Sequence, residues 1–345
     1  MLGTSYVAAA QGASTERLRL RVDTAQAAAV LTMLEARQAG QEPSQADWNH
    51  LFATEAYVRL EARERGMRRA FTDSAFKAFV LSDTLRARAG ALRQALTEWG
   101  RADLDAAAAR ALAYLPHGAR LAATIYIVIK PQTNSFVWDL STNPAVFLYL
   151  DPNVPAPKLE NTMAHELHHI GLGANDAHAD SLVQAMPDSV QLAATWIGAF
   201  GEGFAMLAAA GGTDVHPHAV SDEDERRRWD QDVARFNDDL RTLDEFFLNI
   251  SAGRFLSPDS VRSVAATYYG TQGPWYTVGW RMAAVIEEQL GRAELIRCLT
   301  DPSRLLRSYN EAARRHNRSA PDTLVAWSNE LVAALEPLPA PASPG

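Results

Sequence analysis

Met163-Ala164-His165-Glu166-Leu167-His168-His169-Ile170-Gly171 is the stretch from which the rest of the chain is read. It contains H-E-x-x-H, which on a helix puts two imidazoles and a carboxylate on one face. Positions i and i+4 are neighbours on a helix surface, so His165 and His169 can grip one metal ion together. Glu166 follows His165 directly and can hold a water that such an ion activates. Random placement produces this pattern about once in 80 chains of this composition, so its setting has to support it. Met163, Ala164, Leu167 and Ile170 surround it with apolar residues. A helix so flanked is largely buried. Burying two imidazoles and a carboxylate is costly unless they bind something, and a metal ion removes that cost.

A hydrolytic zinc site wants a third protein ligand and one open position. A third His six residues past His169, after a Gly three past it, would mark a metzincin; those positions hold Asn175 and Leu172. An acidic ligand on a later helix is the better fit. Glu202 follows His169 by 33 residues in Gly201-Glu202-Gly203-Phe204-Ala205, where flanking glycines let helices approach closely. His178 and Asp180 are nearer in sequence and compete for the place, with a role behind the ligands the better reading. His168 is expected to pack or to support a ligand. His216 and His218, in a loop, could stabilise a transition state or do nothing, and nothing is the preferred reading.

Upstream of the motif the chain changes character. Residues 15 to 115 read as helices, with Ala27, Val30, Leu31 and Leu34 at helical spacing in a segment that Gly40 ends. Thr124 to Ile129 is β-branched and apolar, a buried strand stopped by Pro131. Ser135 to Leu140 and Val146 to Leu150 read as two more strands, either of which could present an edge to an extended peptide. A Pro-rich loop then leads into the motif helix. Downstream, helices are expected over 177–185, 191–210 and 222–250, then over 258–270, 276–290, 294–299 and 304–316. The fold class is therefore α+β, predominantly helical, with a small sheet next to the H-E-x-x-H helix and a helical bundle. The expected organisation is a helical region over 15–122 packed as one unit with a catalytic region over 123–335, then a disordered tail over 336–345.

Composition sets outer bounds. The chain has 345 residues and a formal net charge of −8, which argues against nucleic acid as a partner. No run of 18 apolar residues is present, so no membrane span is expected. Cys298 is the one cysteine, which excludes an internal disulfide, and its surroundings read as a buried helical position. Leu2 to Ala10 is apolar, and Ala8-Ala9-Ala10 fits a signal-cleavage site, but no basic segment precedes it. Export to the periplasm or beyond is slightly favoured over the cytoplasm.

His165 to Gly171, Gly201 to Ala205 and Trp275-Tyr276-Thr277-Val278-Gly279-Trp280 together resemble the gluzincins, the thermolysin-related peptidases with H-E-x-x-H and a distant Glu. More closely, the chain resembles a bacterial family catalogued as a domain of unknown function and described as candidate zinc-dependent proteases. That likeness runs over roughly residues 20 to 335 and includes Tyr114-Leu115-Pro116 and Ile129-Lys130-Pro131. The resemblance implies a zincin-like fold with one zinc ion held by His165, His169 and Glu202, and Glu166 as catalytic base. It implies hydrolysis of a peptide or protein substrate by a zinc-activated water. A downstream phenol would steady the oxyanion, with Tyr276 first and Tyr268 and Tyr269 behind it. Thermolysin has an Asp four residues after the third ligand, whereas this chain has Met206. A non-peptide amide or ester substrate, or a non-catalytic zinc-stapled module, would carry the same residues.

Overall fold

Four strands order themselves β1-β2-β4-β3 in one sheet: β1 Leu18–Asp23, β2 Leu121–Val128, β3 Phe136–Trp138 and β4 Ala145–Tyr149. The computed structural model describes residues 17–173, 176–270 and 272–336. The expected leader and the expected tail beyond Glu336 lie outside the described residues. β1, β2 and β4 run parallel, with Leu18 opposite Leu121 and Thr124 opposite Ala145, while β3 runs antiparallel to β4. β2 and β4 are buried along nearly their whole length, as parallel central strands require of an apolar run.

Two readings change here. Residues 18–23, expected to be helical, form β1. Their Leu-Arg-Leu-Arg-Val-Asp alternation is a period-two pattern, and the strand closes an edge of the sheet. β4 is paired on both sides and offers no free edge; the edge beside it is β3.

Helices hold 63% of the described residues, which with the mixed sheet makes the fold predominantly helical α+β. The first seven are α1 Ala25–Gln38, α2 Gln45–Phe52, α3 Glu55–Gly66, α4 Asp73–Val80, α5 Asp83–Ala87, α6 Ala89–Trp99 and α7 Leu104–Ala113. After β4 come α8 Ala156–Gly173, α9 Asp176–Gln184, α10 Asp188–Ile197 and α11 Gly201–Ala210. The remainder are α12 Glu223–Val233, α13 Phe236–Ser251, α14 Pro258–Thr267, α15 Pro274–Leu290, α16 Arg292–Cys298, α17 Pro302–His316 and α18 Asn329–Ala334.

The chain divides into two compact units, Met1–Ala108 with Arg120–Ile170, and Ala109–Ala119 with Gly171–Gly345. In the first, Ala56 and Leu60 of α3 pack on Tyr126, Val128, Ala145 and Phe147 of the sheet. Gln26 of α1 is fully buried and bonds both backbone groups of Ile129: its amide nitrogen donates to the carbonyl at 2.8 Å, and its oxygen accepts from the N–H at 2.9 Å. That pair ties α1 to the end of β2. Lys130, next in sequence, is 1% exposed and donates to the Gln132 carbonyl and to Asn134 Oδ1. Burial pulls its ammonium down to about 8, with Arg63 adding to the shift.

In the second unit α15 is the central helix. Trp275, Val278, Met282, Ala283, Val285 and Ile286 are all buried, so it is apolar nearly all round. The expected helix over 191–210 is two helices joined by a 3-10 turn at Gly198–Phe200, and that over 222–250 breaks after Val233. Asp188–Ala210 is long and apolar enough to span a membrane by composition, but most of it is buried in the protein and it carries Glu202. α18 was not expected; Ser328 caps it by accepting from the Leu331 N–H. Cys298 lies buried in α16, as expected, with its thiol pushed up to about 12 by burial.

Candidate metal centre

α8 follows from its own residue pattern. Leu159, Met163, Ala164, Leu167 and Ile170 are all buried, a spacing that keeps one stripe of the helix in the interior. His165, Glu166 and His169 are half-buried on the adjoining face. The helix runs through Gly173. His165 Nε2 and His169 Nε2 stand 3.0 Å apart, with the rings edge to face at 80°. His168, which the i+3 spacing puts to the flank, is completely buried.

Glu202 lies in the first turn of α11. One ligand atom from each of His165, His169 and Glu202 lies within 4.8 Å of the other two. Two imidazole nitrogens and a carboxylate oxygen at that spacing fit zinc. Bonds of about 2.0–2.2 Å in a tetrahedron put neighbouring ligand atoms a little over 3 Å apart, and three ligands leave a position open. His178 and Asp180 are exposed on α9 and are not in this group.

Glycines build the neighbourhood of Glu202, though not in the way their placement beside it suggests. A Cβ on Gly201 would meet only Leu172 Cδ2 at 3.7 Å, an ordinary contact. A Cβ on Gly203 would stand 2.0 Å from the Trp280 nitrogen and 2.5 Å from the Tyr276 carbonyl oxygen. The close approach is therefore between α11 and α15. Gly279 is its other half, since a Cβ there would lie 2.7 Å from the Phe200 carbonyl oxygen. This puts the backbone of Tyr276, in the first turn of α15, against α11.

The other two phenols separate. Tyr268 packs among Phe246 and Trp275, with ring centroids 5.3 and 5.6 Å away. Tyr269 is held above its ordinary pKa by burial, with the negative charge of Glu202 adding to the shift. His218 is buried and hydrogen-bonded through both ring nitrogens, to Ser221 and Gln272. Nothing in its local sequence, Val215-His216-Pro217-His218, signals this; its partner Gln272 is 54 residues away.

The profile of a family described as "Putative zinc dependent peptidase (DUF5700)" matches residues 48–318. No curated protein and no solved structure matches the chain. The match takes in the H-E-x-x-H helix, Glu202 and α15, and on it the chain belongs to the DUF5700 family.

Proposed function

We propose that this chain is a one-zinc peptidase of the gluzincin type, with His165, His169 and Glu202 as ligands and Glu166 as general base. The observation that carries the reading is the meeting of three donor atoms from α8 and α11 within 4.8 Å. Glu166 sits on the helix that holds two of them, one residue after His165. The ion, when bound, supplies Lewis-acid polarisation of the scissile carbonyl and a nucleophilic water at neutral pH.

The chain's own groups do the rest. The Glu166 carboxylate takes the proton from the attacking water and hands it to the nitrogen of the leaving amine. The Tyr276 hydroxyl donates to the carbonyl oxygen as it gains charge. Among the described residues β3 pairs only with β4, and an extended peptide can add to its other side through backbone hydrogen bonds.

Glu166→Gln tests the reading. The variant should hold one zinc ion, as the parent does, and lose casein cleavage by at least about a thousandfold. Full activity in Glu166→Gln would overturn the mechanism, and parent protein without zinc after purification and zinc loading would overturn the site.

A further inference from the structure

Each side chain that β3 turns toward α3 lies beside a guanidinium. Phe136 and Trp138 alternate onto the face of the sheet that packs on Ala56 and Leu60 of α3. The Arg63 guanidinium lies 3.5 Å from the centroid of the Phe136 ring, which also stacks on Phe147 at 5.0 Å and 17°. One turn earlier on α3, Arg59 lies 5.2 Å from the Trp138 ring. The Lys130 ammonium, from the end of β2, lies 5.5 Å from the Phe136 ring and 5.8 Å from that of Tyr149.

These charges are not fully offset where they stand. Glu64 pairs with Arg63 and, at 3.7 Å, with Arg69, while Asp139 pairs with Arg59 at 3.4 Å. Glu55 and Glu61, on the same helix, are taken by Arg21 and Arg65, each at 2.6 Å. Lys130 has neutral partners, the Gln132 carbonyl at 2.6 Å and Asn134 Oδ1 at 3.0 Å. Among the described residues, Arg59, Arg63, Arg69 and Lys130 thus stand against Glu64 and Asp139 alone, in a chain whose formal net charge is −8. Burial limits screening of this excess by salt, since the side chains of Arg59 and Arg63 are 10% and 11% exposed and Lys130 is 1% exposed.

The ladder of β3 is with β4, and among the described residues its other side is open. A strand added there sends every second side chain to the α3 face, next to Phe136 and Trp138 and near the same cations. A carboxylate in that position meets the excess positive charge, and a Lys or Arg meets repulsion. The side chains between fall next to Val137, on the opposite face from the cations.

We infer that β3 selects its substrate by charge: its open edge docks extended peptide segments that carry Asp or Glu at alternate positions, with those carboxylates on the α3 side next to Phe136 and Trp138. This rests on the reading of β3 as the peptide-binding edge and names the class of substrate that the edge takes.

The test measures binding to the full-length Glu166→Gln chain, so that peptide is not consumed. Three labelled octapeptides alternate Val with Glu, with Gln or with Lys. Their alternation makes register immaterial, because a slip of one residue restores the same facing. Fluorescence anisotropy should give the Glu peptide a Kd about tenfold below that of the Gln peptide, with the Lys peptide weaker than both. Arg69→Ala and Lys130→Met each remove one positive charge and should cut the Glu-to-Gln preference about threefold, whereas Glu64→Gln removes a negative one and should widen it. Lys130→Met also removes the bonds to Gln132 and Asn134, so Arg69→Ala, on a half-exposed side chain, is the arm that reads charge alone. Saturating Glu peptide should slow amide exchange at Phe136 to Trp138 about tenfold. Equal Kd values for the Glu and Gln peptides, no binding of any peptide, or a preference that none of the three substitutions moves would overturn the inference. So would β3 amides left unprotected by bound peptide. A parent chain that binds the Glu peptide with this preference but cleaves neither it nor casein would sink the peptidase reading and leave the docking preference standing.

Discussion

Gly203 of α11 and Gly279 of α15 lie backbone to backbone: a Cβ on Gly279 would stand 3.2 Å from the Gly203 Cα. Glu202 is the residue next to that crossing, so the position of one proposed ligand depends on the absence of two side chains. Gly203→Ala should therefore cost about 3 kcal/mol or more, because the added carbon meets backbone atoms that cannot swing aside. That is a fall in Tm of roughly 4 °C or more for a chain of 345 residues. Gly201→Ala, with room for its methyl, should melt within about 2 °C of the parent. Calorimetry on both, with zinc content measured alongside, checks the contrast; equal losses would contradict the assignment of the crossing to Gly203.

Metal removal should loosen the protein as well as silence it. If three side chains hold the ion, chelation withdraws about 4 kcal/mol at a zinc concentration a thousand times Kd. His165→Ala, His169→Ala and Glu202→Ala should each abolish the zinc-dependent rise in Tm. A variant that keeps the full rise does not carry a ligand at that position.

Lys130 makes stability depend on alkaline pH. Its folded pKa, about 8, lies below the ordinary value of 10.5, so the unfolded chain binds the extra proton between those limits. Stability should therefore rise as pH goes from about 8 to 10.5, by about 1–3 kcal/mol, and stay flat in this respect below 8. Lys130→Met should remove the rise, as followed by urea unfolding at a series of pH values. An unchanged slope in that variant would assign the dependence elsewhere.

Gln26 supplies the one side chain that satisfies both backbone groups of Ile129. Gln26→Met keeps the shape and removes both hydrogen bonds, leaving a buried N–H and a buried carbonyl unpaired. The expected cost is about 2–4 kcal/mol in urea unfolding, with zinc content unchanged.

Local chemistry was legible before the structure. The i, i+4 spacing of His165 and His169 is a property of one helix, and the apolar stripe from Leu159 to Ile170 showed which side of it would be buried. β2 and β4 announced themselves by β-branched, apolar runs, and Gly40 with its positive φ ended α1 where the pattern stopped. Elements whose cause lies elsewhere in the chain were not legible. β1 alternates as a strand should, but its pairing partner begins about a hundred residues later, and three of its six residues are charged. The helix expected over 222–250 has unbroken periodicity, and only packing interrupts it after Val233.

By itself the sequence determined the donor types, their helical spacing, the Glu166 carboxylate beside them and the mixture of sheet and helices, because these depend on residues within a few turns of each other. It also singled out Glu202 as a candidate. Tertiary structure alone decided that the carboxylate comes within 4.8 Å of the imidazole nitrogens, and that Gly203 serves a crossing with α15. It also decided that His218 reaches Gln272 across 54 residues. Such meetings are set by how helices pack, and packing is a sum over many distant contacts that no local pattern encodes.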